Sequence, residues 1–306
     1  MNRFRVYGAV MLSMVFWAFS FIWFKIANES FRPITIVFFR LVMAVLILNI
    51  YLAIKGGFQK IKKEDRKLFV LLALFEPFFY FLGESNGLTY VSSTTGSVII
   101  STIPVIAAIA AWLFLKEKLR AINYAGIILS FIGIVVFVIN PAGKLSFNIA
   151  GLLFLGLAVI SAVGYNLTLS RLVGSYSPVF IVNVQNSIGA ILFLPVFIFT
   201  DLNSFTGTVH SLKSYIPIFE LAIFASCGAF ILFAFSVRHM GILKANTFTN
   251  IIPVFTAVFA YFMVGEKLTI QNLAGMMIVI TGLFLSQSDK RRKNLDDALL
   301  LTGKTA

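Results

Sequence analysis

Charge is what this sequence has little of. Only 12% of its 306 residues are Asp, Glu, Lys or Arg, about half the roughly 25% of a soluble domain. So few charges cannot clothe the surface of a soluble chain of this length, so lipid must solvate much of it. Cysteine is almost absent too. The single Cys227 excludes an intrachain disulfide and a cysteine metal cluster. The two histidines, His210 and His239, fall in connections and support neither a metal site nor a histidine relay. No Gly-rich loop ends in Lys-Ser/Thr, which argues against a nucleotide-driven pump. The apolar runs also lack a paired acid–base or metal motif. The expectation is therefore a protein that is not an enzyme and needs no cofactor or metal.

What the sequence has is apolar length. Hydrophobic residues make up 59% and the mean hydropathy is +0.95. A helix needs about 20 apolar residues to cross a hydrocarbon core of about 30 Å. Charge-free runs at 92–115, 121–143, 145–170, 172–200, 245–265 and 268–288 meet that length, and 7–24 nearly does. Three further runs each carry charge: 34–54 holds Arg40, 68–88 holds Glu76 and Glu84, and 215–237 holds Glu220. These runs predict ten spans. They are too long and too uniform to be barrel strands. The run at 7–24 lacks a small-x-small cleavage site after it, so it is read as a retained span rather than a signal peptide.

The net charge of +13 does not point to nucleic acid, because the basic residues sit in short clusters between apolar runs. With the N-terminus inside, nineteen of the 25 Lys and Arg fall on the cytoplasmic side, among them Lys55–Lys67, Arg171, Arg238 and the tail Lys290–Lys293. Five fall outside, and Arg40 stays within a span. That bias places both termini in the cytoplasm and the spans in the plasma (inner) membrane.

The chain also repeats itself. At a shift of 149 residues Pro104 falls on Pro253, Glu117-Lys118-Leu119 on Glu266-Lys267-Leu268, and Asn123, Gly126 and Gly133 on Asn272, Gly275 and Gly282. Each copy holds five predicted spans, an odd number, so the copies must enter the membrane from opposite sides. The charges agree: Lys116, Arg120, Arg238 and Lys244 face inside, and their aligned partners Gly265, Thr269, Thr89 and Thr95 are neutral. Inverted repeats of this kind are the plan of many secondary transporters, with the substrate near the midplane between them. The expected units are 1–143, an inverted 144–288, and a basic, polar cytoplasmic tail at 289–306.

Several motifs now resemble a known family. They are Trp17-Ala18-Phe19-Ser20-Phe21 with Lys25, Pro33 followed by Arg40, Gly87-Leu88-Thr89-Tyr90-Val91-Ser92-Ser93, and Pro104 with Glu117, echoed by Pro253 with Glu266. In this order they resemble the drug/metabolite transporter superfamily, EamA type, over residues 5–288. The resemblance implies an all-α membrane protein whose ten helices form two inverted five-helix repeats around a central cavity. It also implies secondary transport, often export, of amino acids or other small metabolites. The second copy departs from the pattern, with Arg238-His239-Met240-Gly241 at the Tyr-x-Ser position.

Candidate functional residues come from the polar groups within the spans. An ionisable side chain there costs about 2.5–3.5 kcal/mol on insertion scales and needs a compensating role. Glu76 lies deep in the third span, just before Pro77, with Tyr80 and Glu84 at spacings of four on the same stripe. It either faces a cavity, binding a cationic group or a coupling proton, or serves as a structural partner of Arg40. Glu84 is expected at the rim. Arg40 either attracts an anionic group or pairs within the protein. In the ninth span Asn246, Thr249, Asn250 and Pro253 share one face, and Ser97, Ser101 and Pro104 match them in the fourth. Such faces line cavities or cement helices, and Pro77, Pro104 and Pro253 bend the helices beside them. Tyr165, Asn166 and Thr168, with Asn183, Gln185, Asn186 and Ser187, add polar groups too numerous for a lipid face. The expected function is alternating-access transport of a small metabolite, with protons as a second partner. A lipid-handling protein or an intramembrane enzyme is the alternative.

Overall fold

Inside a bilayer every backbone N–H and C=O must be satisfied by the chain itself, and the helix does this locally. The computed structural model describes residues 3–107, 109, 121–138 and 148–286. Its regular structure is helical, with no strand among the described residues. Among the described residues seven helices are long and apolar enough to cross a membrane: α1 (Arg3–Ala27), α2 (Pro33–Lys55), α3 (Lys63–Tyr90), α6 (Ile149–Leu172), α7 (Pro178–Thr200), α8 (Leu212–Met240) and α9 (Ile242–Val264). Three shorter apolar helices complete the set: α4 (Ser93–Ala107), α5 (Ala121–Phe137) and α10 (Ile270–Ser286). Glu117, Lys144 and the tail at 289–306 lie outside the described residues, as do the last residues of the predicted fourth span.

One predicted boundary moves. The run at 172–200 begins inside α6, whose last residue is Leu172, and the chain then turns through 173–177. Ser177 starts α7 by accepting the Phe180 N–H at 3.3 Å, with Pro178 in the first helical turn. Hydropathy does not register a turn that begins with Val173 and Gly174.

The helices pack as α1 against α8 and α9, α2 against α7, α3 against α6 and α7, α4 against α9, and α5 against α10. Small residues set the close approaches. Gly83 faces the Phe154 carbonyl and the Ala158 N–H of α6, and Gly87 faces Leu155 and Gly151. A Cβ at either position would force the helices apart, which is why the Gly83-x-x-x-Gly87 spacing belongs at this contact.

The α5–α10 pair is reciprocal in detail. Asn123 donates its amide to the Ser286 carbonyl at 2.9 Å, and Asn272 donates to the Phe137 carbonyl at 2.8 Å. Gly126 approaches Gly282 and Ser286, while Gly275 approaches Phe137. Gly133 meets Val279 and Gly275, and Gly282 meets Ser130. Residue numbers rise along one helix as they fall along the other, so the pair is antiparallel.

Several helices are interrupted where polar groups gather. In α3 the backbone leaves helical geometry at Glu76 (φ −147°, ψ 117°) within a widened segment, Leu74–Phe79. Pro77 explains this, since it offers no N–H and its ring disfavours the α region for the residue before it. In α8 a second widened segment covers Leu221–Ala229. In α4 the helix loosens at Ser101 and Thr102, before Pro104. In α9 it tightens over Phe248–Ile251, before Pro253. Glu266, just past α9, caps the start of α4. Its carboxylate accepts the Ser93 N–H at 2.7 Å, the Thr94 N–H at 3.1 Å and the Thr94 hydroxyl at 2.9 Å.

Candidate functional site

The interrupted helices surround one buried cavity. About 630 Å³ of it is empty, its open mouth included, and only a small part is wide enough for water. Helices α1, α2, α3, α4, α6, α8 and α9 all contribute to its wall.

Three ionisable side chains converge there. Arg40 on α2 is 3% exposed, Glu76 on α3 6% and Glu84 on α3 8%. Arg40 donates Nε–H to the Ser226 hydroxyl at 2.9 Å and lies over the Phe81 ring, 4.3 Å from its centroid. Ser226 is held in turn, because its carbonyl accepts the Asn186 amide at 3.0 Å. Glu84 accepts the Tyr80 hydroxyl at 3.0 Å. Glu76 lines the cavity, and no hydrogen-bond donor meets its carboxylate among the described residues. Both glutamates lie within Coulombic reach of Arg40, Glu84 the more strongly.

Two expectations change here. Glu84 is buried rather than at a rim, because Gly83 and Gly87 let α6 press against the same stretch of α3. Glu76 does not share a regular helical stripe with Tyr80 and Glu84, since the break at Pro77 takes it off the helix. The break nonetheless leaves all three in the cavity wall.

The remaining polar lining comes from both halves of the chain. Ser101 from α4, Tyr165 and Asn166 from α6, and Asn246 and Thr249 from α9 all reach the cavity. The Tyr165 hydroxyl and the Gln185 amide are buried beside each other without meeting hydrogen-bond geometry. Unmet polar groups of this kind are where buried water or a ligand is accommodated. Aromatic rings line the cavity as well. Trp17 packs on Phe230 and Phe233 with ring centroids 5.3 and 5.0 Å apart, and Tyr165 meets Phe230 edge-on at 5.9 Å.

Three expected site residues do not reach the lining. Ser97 donates to the Thr94 carbonyl at 2.8 Å within its own helix. Asn183 donates to Asn49 at 3.0 Å, tying α7 to α2. Asn250 is 1% exposed and lies outside the lining that Asn246 and Thr249 join. Pro77 packs against Gly189 of α7, where any side chain would collide with its ring. Conversely, Phe81, Phe230 and Phe233 are lining residues that the sequence does not single out, and Ser20 enters it only as part of the Trp17–Phe21 motif. Phe81 is signalled only by lying three residues before Glu84, and Phe230 and Phe233 carry no such signal.

A second, open hollow lies between the α1–α2 turn and residues 204–210. Its polar groups are largely engaged: Ser30 with Ser214, Arg32 with the Thr200 carbonyl, and Thr35 with Asp201.

Known proteins resemble the whole chain. An uncharacterized transporter of Archaeoglobus fulgidus is 25% identical over 274 residues, covering 90% of this chain and 95% of its own. The uncharacterized transporter YetK of Bacillus subtilis is 23% identical over 255 residues, covering 82% of this chain and 77% of its own. One solved crystal structure superposes with a TM-score of 0.69 over 93% of this chain and 97% of that one. At 12% identity that likeness shows the fold alone. The model of the EamA-like transporter family matches residues 5–139 and again 149–287. With both halves matched, this chain belongs to the EamA-like transporter family.

Proposed function

We propose that the protein is a secondary transporter that moves a small metabolite, such as an amino acid or a related compound, out of the cell by alternating access. The substrate sits in the central cavity, and Glu76 is the principal binding or coupling group, with the proton as its second partner. Arg40, Tyr80, Ser101, Tyr165 and Asn246 share the site. The helices form ten spans in a cytoplasmic membrane, as two inverted five-helix repeats at 1–143 and 144–288, followed by a cytoplasmic tail.

One observation carries this reading: Arg40, Glu76 and Glu84 are all buried in a single cavity walled by helices from both halves. Intramembrane charge is costly and marks substrate or ion pathways. The repeat is supported by the α5–α10 contacts, where Asn123 with Ser286 and Asn272 with Phe137 are the same contact shifted by 149 residues.

The test is flux. Purified protein in liposomes should exchange labelled amino acids or related compounds, and a pH gradient should drive net movement. Glu76→Gln keeps shape and removes charge. It should fold normally, lose the gradient-driven component and retain exchange. Wild-type flux with an unchanged pH profile in this variant would remove Glu76 from coupling.

A further inference from the structure

We infer that the cavity selects an organic monocation, a protonated amine joined to an apolar or aromatic body, and seats its ammonium on Glu76. This rests on the reading of the cavity as the transport site. It narrows the substrate from amino acids to the amines related to them.

The charge inventory comes first. With Arg40, Glu76 and Glu84 all ionised, the cavity carries one net negative charge. Arg40 is engaged by Ser226 and Phe81, and Glu84 by Tyr80. Glu76, at 6% exposure, is the acceptor left open to the cavity. A monocation neutralises the site. A zwitterion leaves the net charge in place, and an anion doubles it, which is expensive where water is scarce.

The hydroxyls point the same way. Ser20 donates to the Trp17 carbonyl, Ser101 to the Val98 carbonyl and Thr249 to the Asn246 carbonyl, each at 2.7 Å. All three line the cavity. Because each hydroxyl proton is turned back onto its own helix, each oxygen is left to the cavity as an acceptor. An ammonium, which only donates, fits such a lining. A carboxylate, which only accepts, gains nothing from these three hydroxyls. The Trp17 wall with Phe230 and Phe233 supplies apolar area for the body and ring faces that favour a cation.

The test uses three probes with one body and three charges: phenylethylamine, phenylacetate and free phenylalanine. Binding to the purified full-length protein is titrated at neutral pH by calorimetry. Phenylethylamine should bind at least about tenfold more tightly than either of the others, and Glu76→Gln should weaken it by about tenfold or more, as expected for loss of a charge-assisted contact. The wild-type ranking decides the matter even if that variant fails to fold. Preference for phenylalanine or phenylacetate that disappears in a cavity-filling Ser101→Phe protein overturns the cation class and keeps the cavity as the site. Phenylethylamine binding that survives both Glu76→Gln and Ser101→Phe puts the site elsewhere and overturns both readings. Binding of none of the three overturns the inference, while the flux assay still tests the cavity.

Discussion

Tyr80 stands four residues from each of two glutamates and serves only one of them. Its hydroxyl goes to Glu84, and no donor among the described residues meets Glu76. The break at Pro77 makes that difference, because it turns Glu76 off the helix that carries the other two. A second tyrosine shows what a fixed partner does outside the spans. Tyr176, in the turn between α6 and α7, donates to the Asp65 carboxylate at 2.6 Å and accepts the Lys62 N–H at 3.1 Å. It joins the α2–α3 connection to the start of α7. Burial, aided by donation to Asp65, raises the Tyr176 hydroxyl above the ordinary phenol value. Its neutral form is therefore the one the fold favours. The resulting stability is fully present below pH ~10, where an unfolded tyrosine begins to ionise, and is lost as pH climbs through the raised value. Tyr176→Phe should cost about 1–2 kcal/mol at neutral pH. The difference from wild type in thermal unfolding should shrink only at strongly alkaline pH, and an equal difference at all pH values would contradict the link. Glu76, Tyr80 and Arg40 were legible as candidates because charge and proline stand out in an apolar run. Burial of Glu84 was not, because it depends on α6 closing over Gly83 and Gly87, a contact between segments far apart in sequence.

Glycines rather than large side chains govern how the elements meet. Gly189 of α7 leaves room for the Pro77 ring, so the break in α3 and the face of α7 fit as one unit. Gly189→Ala should push α7 away and cost about 1–3 kcal/mol. Gly156→Ala, on a face of α6 with nothing near it, should leave stability unchanged or raise it slightly. Equal unfolding temperatures for the two variants would show that the Pro77 contact is not needed. The α5–α10 pair gives a stricter comparison. Gly126 and Gly275 occupy matching positions, each against the C-terminal end of its partner, so Gly126→Ala and Gly275→Ala should destabilise to similar extents, about 1–3 kcal/mol each. A large inequality between them would argue against equivalence of the two ends. At this scale the sequence was half informative. The repeat made Asn123, Gly126 and Gly133 and their partners visible as matching positions. Periodicity within either copy could not say that the two sets grip each other, since that contact spans the two halves of the chain.

Apolar side chains cover the outside of the molecule as densely as they fill it, with Phe199 at 85%, Phe262 at 77% and Ile54 at 76% exposed. Lipid is the solvent that makes such a surface stable, and the helices must then present their ends to opposite aqueous sides. Helix α7 makes a useful ruler. At one end the Ser177 N–H donates to the Gln59 side chain at 2.8 Å, next to the Tyr176–Asp65 link. At the other, Asp201 accepts the Thr35 N–H and hydroxyl, each at 3.0 Å. The 23 residues of α7 put these ends about 34 Å apart at 1.5 Å per residue, a bilayer's hydrocarbon thickness. Lys62 lies by the first end and Asn203 by the second, and both are exposed. The basic cluster Lys55–Lys67 belongs to the first end, so the proposed orientation, drawn from the positive-inside bias, has that end in the cytoplasm. Cys227, the only native thiol, is 6% exposed and contacts the Ala44 carbonyl only at 3.7 Å, so Cys227→Ala gives a mild background. In that background Asn203→Cys should react with an impermeant maleimide on intact cells. Lys62→Cys should react only after the membrane is opened. Labelling of both from one side would mean that α7 does not cross, and the reverse pattern would turn the whole molecule over. The reverse pattern would also exchange the faces assigned to the two copies, because the proposed inverted repeat has no orientation of its own beyond the one its lysines and arginines impose.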